Sequence, residues 1–168
     1  SDGINCIKIG DTKDINKYIY STKEKIKPEG VKYSREVKEG DFILSNSMSF
    51  GKPYIMKTSG CIHDGWLLLR RKDNSISEDY LYTVLSSDFI YKFFQKETIG
   101  GVVENLNIEL VKKVRIPVPP LNIQMEVSEK LDTAIFEKEE LEKKAELVLR
   151  NAKKDIELIL LGGYDDEI

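Results

Sequence analysis

Neither glycine nor proline interrupts the chain between Pro119-Pro120 and Gly162-Gly163, and no other feature constrains the fold as much. A stretch of that length without a breaker, rich in Glu, Lys, Leu and Ala, predicts one helix over residues 123–161, with Asn122 as its N-cap just after the prolines. At ~1.5 Å per residue such a helix is about 55 Å long, more than a body of 120 residues can cover. Small and apolar side chains recur along it at Val127, Leu131, Ala134, Leu141, Ala145, Val148, Ala152 and Ile159. Their steps are three, four or a multiple of seven, with Lys138 filling one place. That is a coiled-coil seam with small residues in its middle. Glu and Lys crowd the remaining face, as on a solvated surface. The seam predicts a partner helix, from a second copy or a second repeat; the alternative is a long amphipathic helix packed on its own domain.

The residues before it read as an α+β body. Strands are expected at residues 4–9, 42–44, 53–56 and 62–69, the last interrupted by Asp64-Gly65, and a final strand at 111–118. Residues 12–39 read as polar and Lys-rich, with a turn at Pro28-Glu29-Gly30. Ser77 caps a helix carrying Leu81, Val84 and Leu85. Ser86-Ser87-Asp88 breaks it and opens a second helix with Phe89, Ile90, Phe93 and Phe94 on one face, closed by Gly100-Gly101. The expected organisation is a body over 1–120, the long helix over 121–161 and a flexible tail over 162–168.

Charge divides at the same place. Residues 1–120 carry 19 Lys/Arg against 16 Asp/Glu, a net of +3, and residues 121–168 carry 7 against 13, a net of −6. The mildly basic body can face a polyanion and the acidic helix cannot. About 40% of residues are apolar and 33% charged, which fits a globular chain with a core. No apolar run approaches the ~18 residues that cross a bilayer. Cys6 and Cys61 match no zinc or redox spacing and read as reduced core residues, from which a cytoplasmic location is expected.

Catalytic motifs are missing. Cys61, His63 and Asp64 lie close in sequence, but within an apolar strand and without an oxyanion-donor turn; three such ligands do not close a zinc site. No Walker loop, GxGxxG or HExxH string occurs. The chain is expected to bind, not to catalyse. Residues 45–54 gather Ser, Asn, Lys52 and Tyr54 around Gly51, groups that hydrogen-bond phosphates and base edges, although composition alone favours an ordinary polar β-loop. Residues 98–105 form a similar loop. Lys13, Lys17, Lys23, Lys25, Lys27, Lys32 and Arg35 make residues 12–35 basic, as a solvated face or a phosphate-neutralising one.

Several strings, in order, carry a family resemblance: Ile7-Lys8-Ile9-Gly10-Asp11; Val37-Lys38-Glu39-Gly40-Asp41-Phe42-Ile43-Leu44-Ser45; Ser49-Phe50-Gly51-Lys52-Pro53; Tyr80-Leu81-Tyr82 with Leu85-Ser86-Ser87; Asn105-Leu106-Asn107; and, most specific, Ile116-Pro117-Val118-Pro119-Pro120-Leu121 with Gln124. Together they resemble the target-recognition domain and following conserved helix of specificity subunits from type I restriction–modification systems. The family's short Leu-Gly-Asp opening is missing, which points to a C-terminal portion of a longer protein.

The resemblance implies a compact recognition domain with a twisted mixed β-sheet and short helices, followed by the long coiled-coil-type helix. It implies sequence-specific reading of one half of a bipartite site in double-stranded DNA. The long helix would act as spacer and dock the methyltransferase (modification) subunit, with the restriction subunit joined through the complex. S-adenosylmethionine, ATP and Mg would belong to those partners, and this chain would hold no cofactor or metal. Two copies pairing through the seam would rebuild a two-domain subunit. Fused type II restriction–methyltransferases carry similar domains and are an alternative parent, and a protein-interaction module dimerising through the helix is another reading. The residues expected at DNA are Ser47, Ser49, Lys52 and Tyr54 in one loop and Asn105 in another, with Lys13 and Arg35 on phosphates.

Overall fold

In the computed structural model the described residues are 3–13, 15, 17–46, 51–99 and 105–162, with the side chains of 97–99 left aside. Eight short strands are described: β1 Ile4–Ile7, β2 Tyr18–Ile19, β3 Glu24–Ile26, β4 Arg35–Val37, β5 Phe42–Ser45, β6 Pro53–Met56, β7 Gly60–Ile62 and β8 Trp66–Leu69. They form two mixed four-stranded sheets, in the orders β3-β1-β7-β4 and β2-β6-β5-β8. The fold is α+β, as expected, with its β-structure divided between two sheets. Three of the strands, β2 to β4, lie in the polar stretch 12–39. At two or three residues each they are too short to show a period of two.

Alternation along β5 builds both cores. Ile43 faces a cluster shared by the two sheets, with Ile7, Ile19, Val37, Tyr54, Met56, Ile62 and Trp66. Leu44, one residue on, points the other way into a cluster with Ile90, Phe94, Leu106, Leu110 and Val111. The order of layers is therefore sheet, sheet, helices, each face apolar where it is covered.

Helix α1 (Glu78–Leu85) starts at Ser77, whose side chain accepts from the Tyr80 N–H at 3.2 Å. Helix α2 (Asp88–Ile99) follows Ser87, whose Oγ accepts from the Ile90 N–H at 3.4 Å. The strand expected at 111–118 is not formed. Residues Ile108–Lys113 make a helix, α3, and 114–120 run on without strand pairing. Asn107 decides the start, because its Oδ1 accepts from the Leu110 N–H at 3.0 Å and satisfies a first-turn donor. Leu110 and Val111 then both face the second core, which adjacent strand residues cannot do.

Helix α4 runs over Leu121–Leu160, about 60 Å at ~1.5 Å per residue. Asn122 lies inside it and is not its cap. The first turn instead closes on Pro120, whose carbonyl accepts from the N–H groups of Ile123 and Gln124. The chain forms two compact units, Ser1–Ser128 and Glu129–Ile168, so residues 121–128 belong with the body. Gln124 and Ser128 are buried there. Along the rest of α4 most apolar side chains stand exposed, among them the seam residues Leu141, Val148 and Ile159 at 65%, 68% and 77%, while Ile135 is half-buried. Ala134, Ala145 and Ala152 are exposed too, Leu131 is half-buried and Val127 sits at the border between the two. Off the seam, Phe136, Leu149, Ile156 and Leu160 are also exposed. No helix among the described residues is long and apolar enough to cross a membrane.

Candidate nucleic-acid interface

Strand registers gather the expected contact residues at one end of the two sheets. In the first sheet Ile7 and Arg35 both pair with Ile62, and Cys6 pairs with Glu24. Lys8, Lys23, Arg35 and His63 therefore adjoin the same end. In the second sheet Ser45 pairs with Trp66 and Leu44 with Pro53, which brings Asn46 and Lys52 to the end that the turn from Ile62 to Trp66 joins to the first.

Asn46 ties this end together. Its N–H donates to the Gly65 carbonyl at 3.1 Å, its Nδ2 donates to the Asp64 carbonyl at 2.5 Å, and its carbonyl accepts from the Leu106 N–H at 3.1 Å. One residue thus joins the end of β5, the β7–β8 turn and the segment before α3. Sequence reading passed over it as one polar residue in a loop. Its three contacts lie 18 to 60 residues away in the chain, and no local signal announces them.

The expected contact residues divide as follows. Lys13, Arg35, Lys52 and Asn105 are exposed at this end. Lys52 Nζ reaches the Ile15 carbonyl at 3.5 Å and lies 5.3 Å from the centre of the Tyr54 ring. Tyr54 itself is on strand β6, 1% exposed and edge-to-face on Trp66. It is a core residue, not a loop residue, and has no surface to offer a base; it supports Lys52 from below. Ser47 and Ser49 lie outside the described residues. Within the basic series, Lys17 is buried and bound to Asp79 at 2.9 Å.

Gly51 fixes the path of the chain into β6. Its φ is +71°, a left-handed value glycine adopts freely. A Cβ there would stand 2.9 Å from Phe94 Cδ2. The Gly51 N–H donates to the Ser45 carbonyl at 2.8 Å and the Lys52 N–H to Ser45 Oγ at 3.1 Å, which sets Lys52 at the head of β6.

The two Gly-Asp strings turn out to be turn chemistry. Asp11 accepts from the N–H groups of Lys8 and Lys23 at 2.8 and 3.1 Å. Asp41 accepts from the Lys38 N–H and takes a two-pronged bond from Arg70 at 2.7 and 2.8 Å, while Gly40 has φ +83°. At that opposite end Arg70 is paired with Asp41, and Lys57 and Arg71 are both paired with Glu78. Among the described residues Lys13, Lys23, Arg35 and Lys52 have no acidic partner. These four cations lie at the end where the loops meet, which is the kind of surface a polyanion needs.

Beside it, Tyr18 Oη donates to Asp79 at 2.8 Å, and Lys17 Nζ and Lys57 Nζ both lie over the Tyr18 ring, at 5.2 and 5.0 Å. Burial, reinforced by the Asp79 bond, pushes the Tyr18 phenol up to about 12. Burial works against the Asp79 carboxylate, but the bonds from Lys17 and Tyr18 outweigh it and hold it below the usual range. The cluster fastens α1 to β2 behind the exposed end. Among the described residues no group of three or more His, Cys, Asp or Glu could hold a metal ion, and Cys6 and Cys61, adjacent across β1 and β7, are free thiols.

A sequence profile described as the type I restriction modification DNA specificity domain matches residues 2–150. Among solved structures, the chain resembles one from a study of complex assembly and conformational transition of the type I R-M system, with a TM-score of 0.56, 19% identity, and 96% of this chain and 36% of that one covered. It also resembles the HsdS subunit from Thermoanaerobacter tengcongensis, with a TM-score of 0.52, 19% identity, and 79% and 30% of the two chains covered. The chain thus spans about a third of the length of each.

Proposed function

Because the chain belongs to the family of type I restriction–modification DNA specificity domains, whose role is sequence recognition on DNA, we propose that it reads one half of a bipartite DNA site, with the end of the sheets around Asn46 as the reading surface. The observation that carries this is the junction at Asn46, which joins the β5 end, the β7–β8 turn and the Asn105 segment beside Lys13, Lys52 and Arg35. Phosphates need free cations, and base edges need polar side chains on rigid supports. Lys13 and Lys52 lie on phosphates, and Asn105 lies toward the groove.

The same reading gives α4 its part. Its exposed seam through Leu141, Val148 and Ile159 pairs with another helix, from a second copy or a second repeat, and carries the docking surface for the methyltransferase subunit. The restriction subunit joins through that complex. The chain supplies an address in the cytoplasm; the chemistry on adenine and the cleavage belong to partners.

Binding of the full chain to a pool of duplexes across a salt series tests this. Several phosphate contacts make log K fall steeply and linearly with log salt. Affinity that ignores salt, or no preference among sequences, sinks the reading.

A further inference from the structure

An open cleft of about 430 Å³ lies between the start of β4 and the β7–β8 turn, lined by Tyr33, Arg35, His63 and Asp64 over Trp66 and Leu67. The side chains of Tyr33, Arg35 and Asp64 are exposed there. Tyr33 is 83% exposed, a large ring with no packing reason to be there, and Lys32 Nζ stands 4.8 Å from its centre. Arg35 and Asp64 line the same cleft, yet among the described residues neither has an ion-pair partner.

The turn that carries His63 and Asp64 is unusually well held for an exposed loop. The Gly65 N–H donates to His63 Nδ1 at 2.9 Å, the Trp66 N–H donates to the His63 carbonyl at 3.2 Å, and Asn46 binds the carbonyls of Asp64 and Gly65. With Nδ1 accepting, the neutral imidazole carries its proton on Nε2, which is then a donor. A Cβ at residue 65 would overlap the His63 ring where it stands, so glycine there lets the ring keep this position. Preorganisation of this kind lowers the ordering cost of binding.

Resting on the DNA-recognition reading, we propose that this cleft reads a single G·C base pair from the major groove. Arg35 and His63 Nε2–H donate to guanine O6 and N7, Asp64 accepts from the N4 amino group of the paired cytosine, and the Tyr33 ring covers the neighbouring nucleotide. The G·C edge presents acceptor, acceptor, donor; an A·T edge presents acceptor, donor, acceptor and a methyl group. Two donors beside one carboxylate match the first pattern. Against A·T the carboxylate meets the thymine O4 acceptor. A phosphate is the wrong ligand for a cleft that includes Asp64. Arg35, expected from sequence on the DNA backbone, is thereby assigned to a base.

The test is selection from a randomised duplex library by the full chain, repeated with Arg35→Ala and Asp64→Asn. Both residues are on the surface, and matching circular dichroism spectra and urea midpoints check the fold. The wild-type chain is expected to select a site with a fixed G·C pair. Each variant should bind that site on the order of 10- to 100-fold more weakly and lose preference at that pair only. Gly65→Ala, which displaces the His63 ring, should weaken the same preference. Variants that lose affinity equally for all sequences would show a phosphate contact and overturn the proposal. Variants that keep the wild-type preference overturn it and leave the DNA-recognition reading standing. A wild-type chain that selects no sequence brings down both.

Discussion

The Gln124 side-chain carbonyl accepts the Ser77 N–H at 2.8 Å, joining the start of α4 to the start of α1 across 47 residues of sequence. Gln124 Nε2 donates to the carbonyls of Ser75 and Pro119, each at 2.8 Å, and the residue is 0% exposed. Tyr80, on the first turn of α1, adds a bond from its hydroxyl to the Pro117 carbonyl at 3.0 Å. The Pro-rich string with its glutamine, the strongest family signature in the sequence, is thus a clamp that holds the first turns of α4, residues 121–128, on the body. Gln124→Ala removes the partner of three part-buried backbone groups, on Ser75, Ser77 and Pro119. At ~1–3 kcal/mol for a stranded buried group, and with some access for water, it should cost about 3 kcal/mol, read as a lower urea midpoint. An unchanged midpoint would mean that the clamp contributes nothing.

Lys52 and Lys144 separate the two faces of the chain. Lys52→Ala should weaken DNA binding and lower the slope of log K against log salt by about 1, the value for one lost phosphate contact. Lys144→Ala, on the acidic helix, should leave both unchanged. Fluorescence anisotropy on one duplex at four salt concentrations decides; equal effects remove the 45–52 loop from the interface.

Gly51→Ala combines a strained backbone angle with a collision at Phe94. A destabilisation of about 2–3 kcal/mol is expected from the two effects together. Because Gly51 sets the head of β6, DNA affinity should fall by more than the loss of folded protein accounts for. Wild-type stability and affinity in this variant would show that the loop tolerates another path.

The Tyr18–Asp79 bond makes stability depend on pH at both extremes. The Tyr18 phenol is raised to about 12, above the ~10 of an unfolded chain. Its contribution is complete below pH ~10 and lost as pH rises toward 12. The Asp79 carboxylate is depressed, so its contribution is present above the unfolded value of ~3.9 and lost as pH falls through the folded one. Urea denaturation across pH should show both declines. Tyr18→Phe should flatten the alkaline one, and a curve superimposable on wild type would exclude Tyr18 as its source.

Truncation tests the seam, provided that the cut spares the clamp. A chain ending at Leu121 would lose Gln124 and Ser128, which are buried in the body, so the informative variant ends after Asp132. If the seam pairs two copies, the full chain sediments as a dimer at high micromolar concentration and the truncated chain as a monomer, with Leu141→Asp together with Val148→Asp behaving like the truncation. A monomeric full chain would reserve the seam for another repeat.

What the sequence determined by itself is local. The long helix and the cap at Ser77 depend on groups a few residues apart, so composition and spacing announce them. The strand expected at 111–118 is not formed. Ile108, Leu110, Val114, Ile116 and Val118 suit a strand as well as a helix, and the contacts of Leu110 and Val111 with the second core settled it. Tyr54 was misplaced for a related reason. All four residues of β6 are buried, so no alternation marked which side chains were inward. Lys13, Lys52 and Asn105 were legible as exposed polar groups, but their common position was not. Asn46, the β7–β8 turn and Leu106 meet only because strand order and register bring them to one end of two sheets, and register is a property of pairing between segments that no single segment contains.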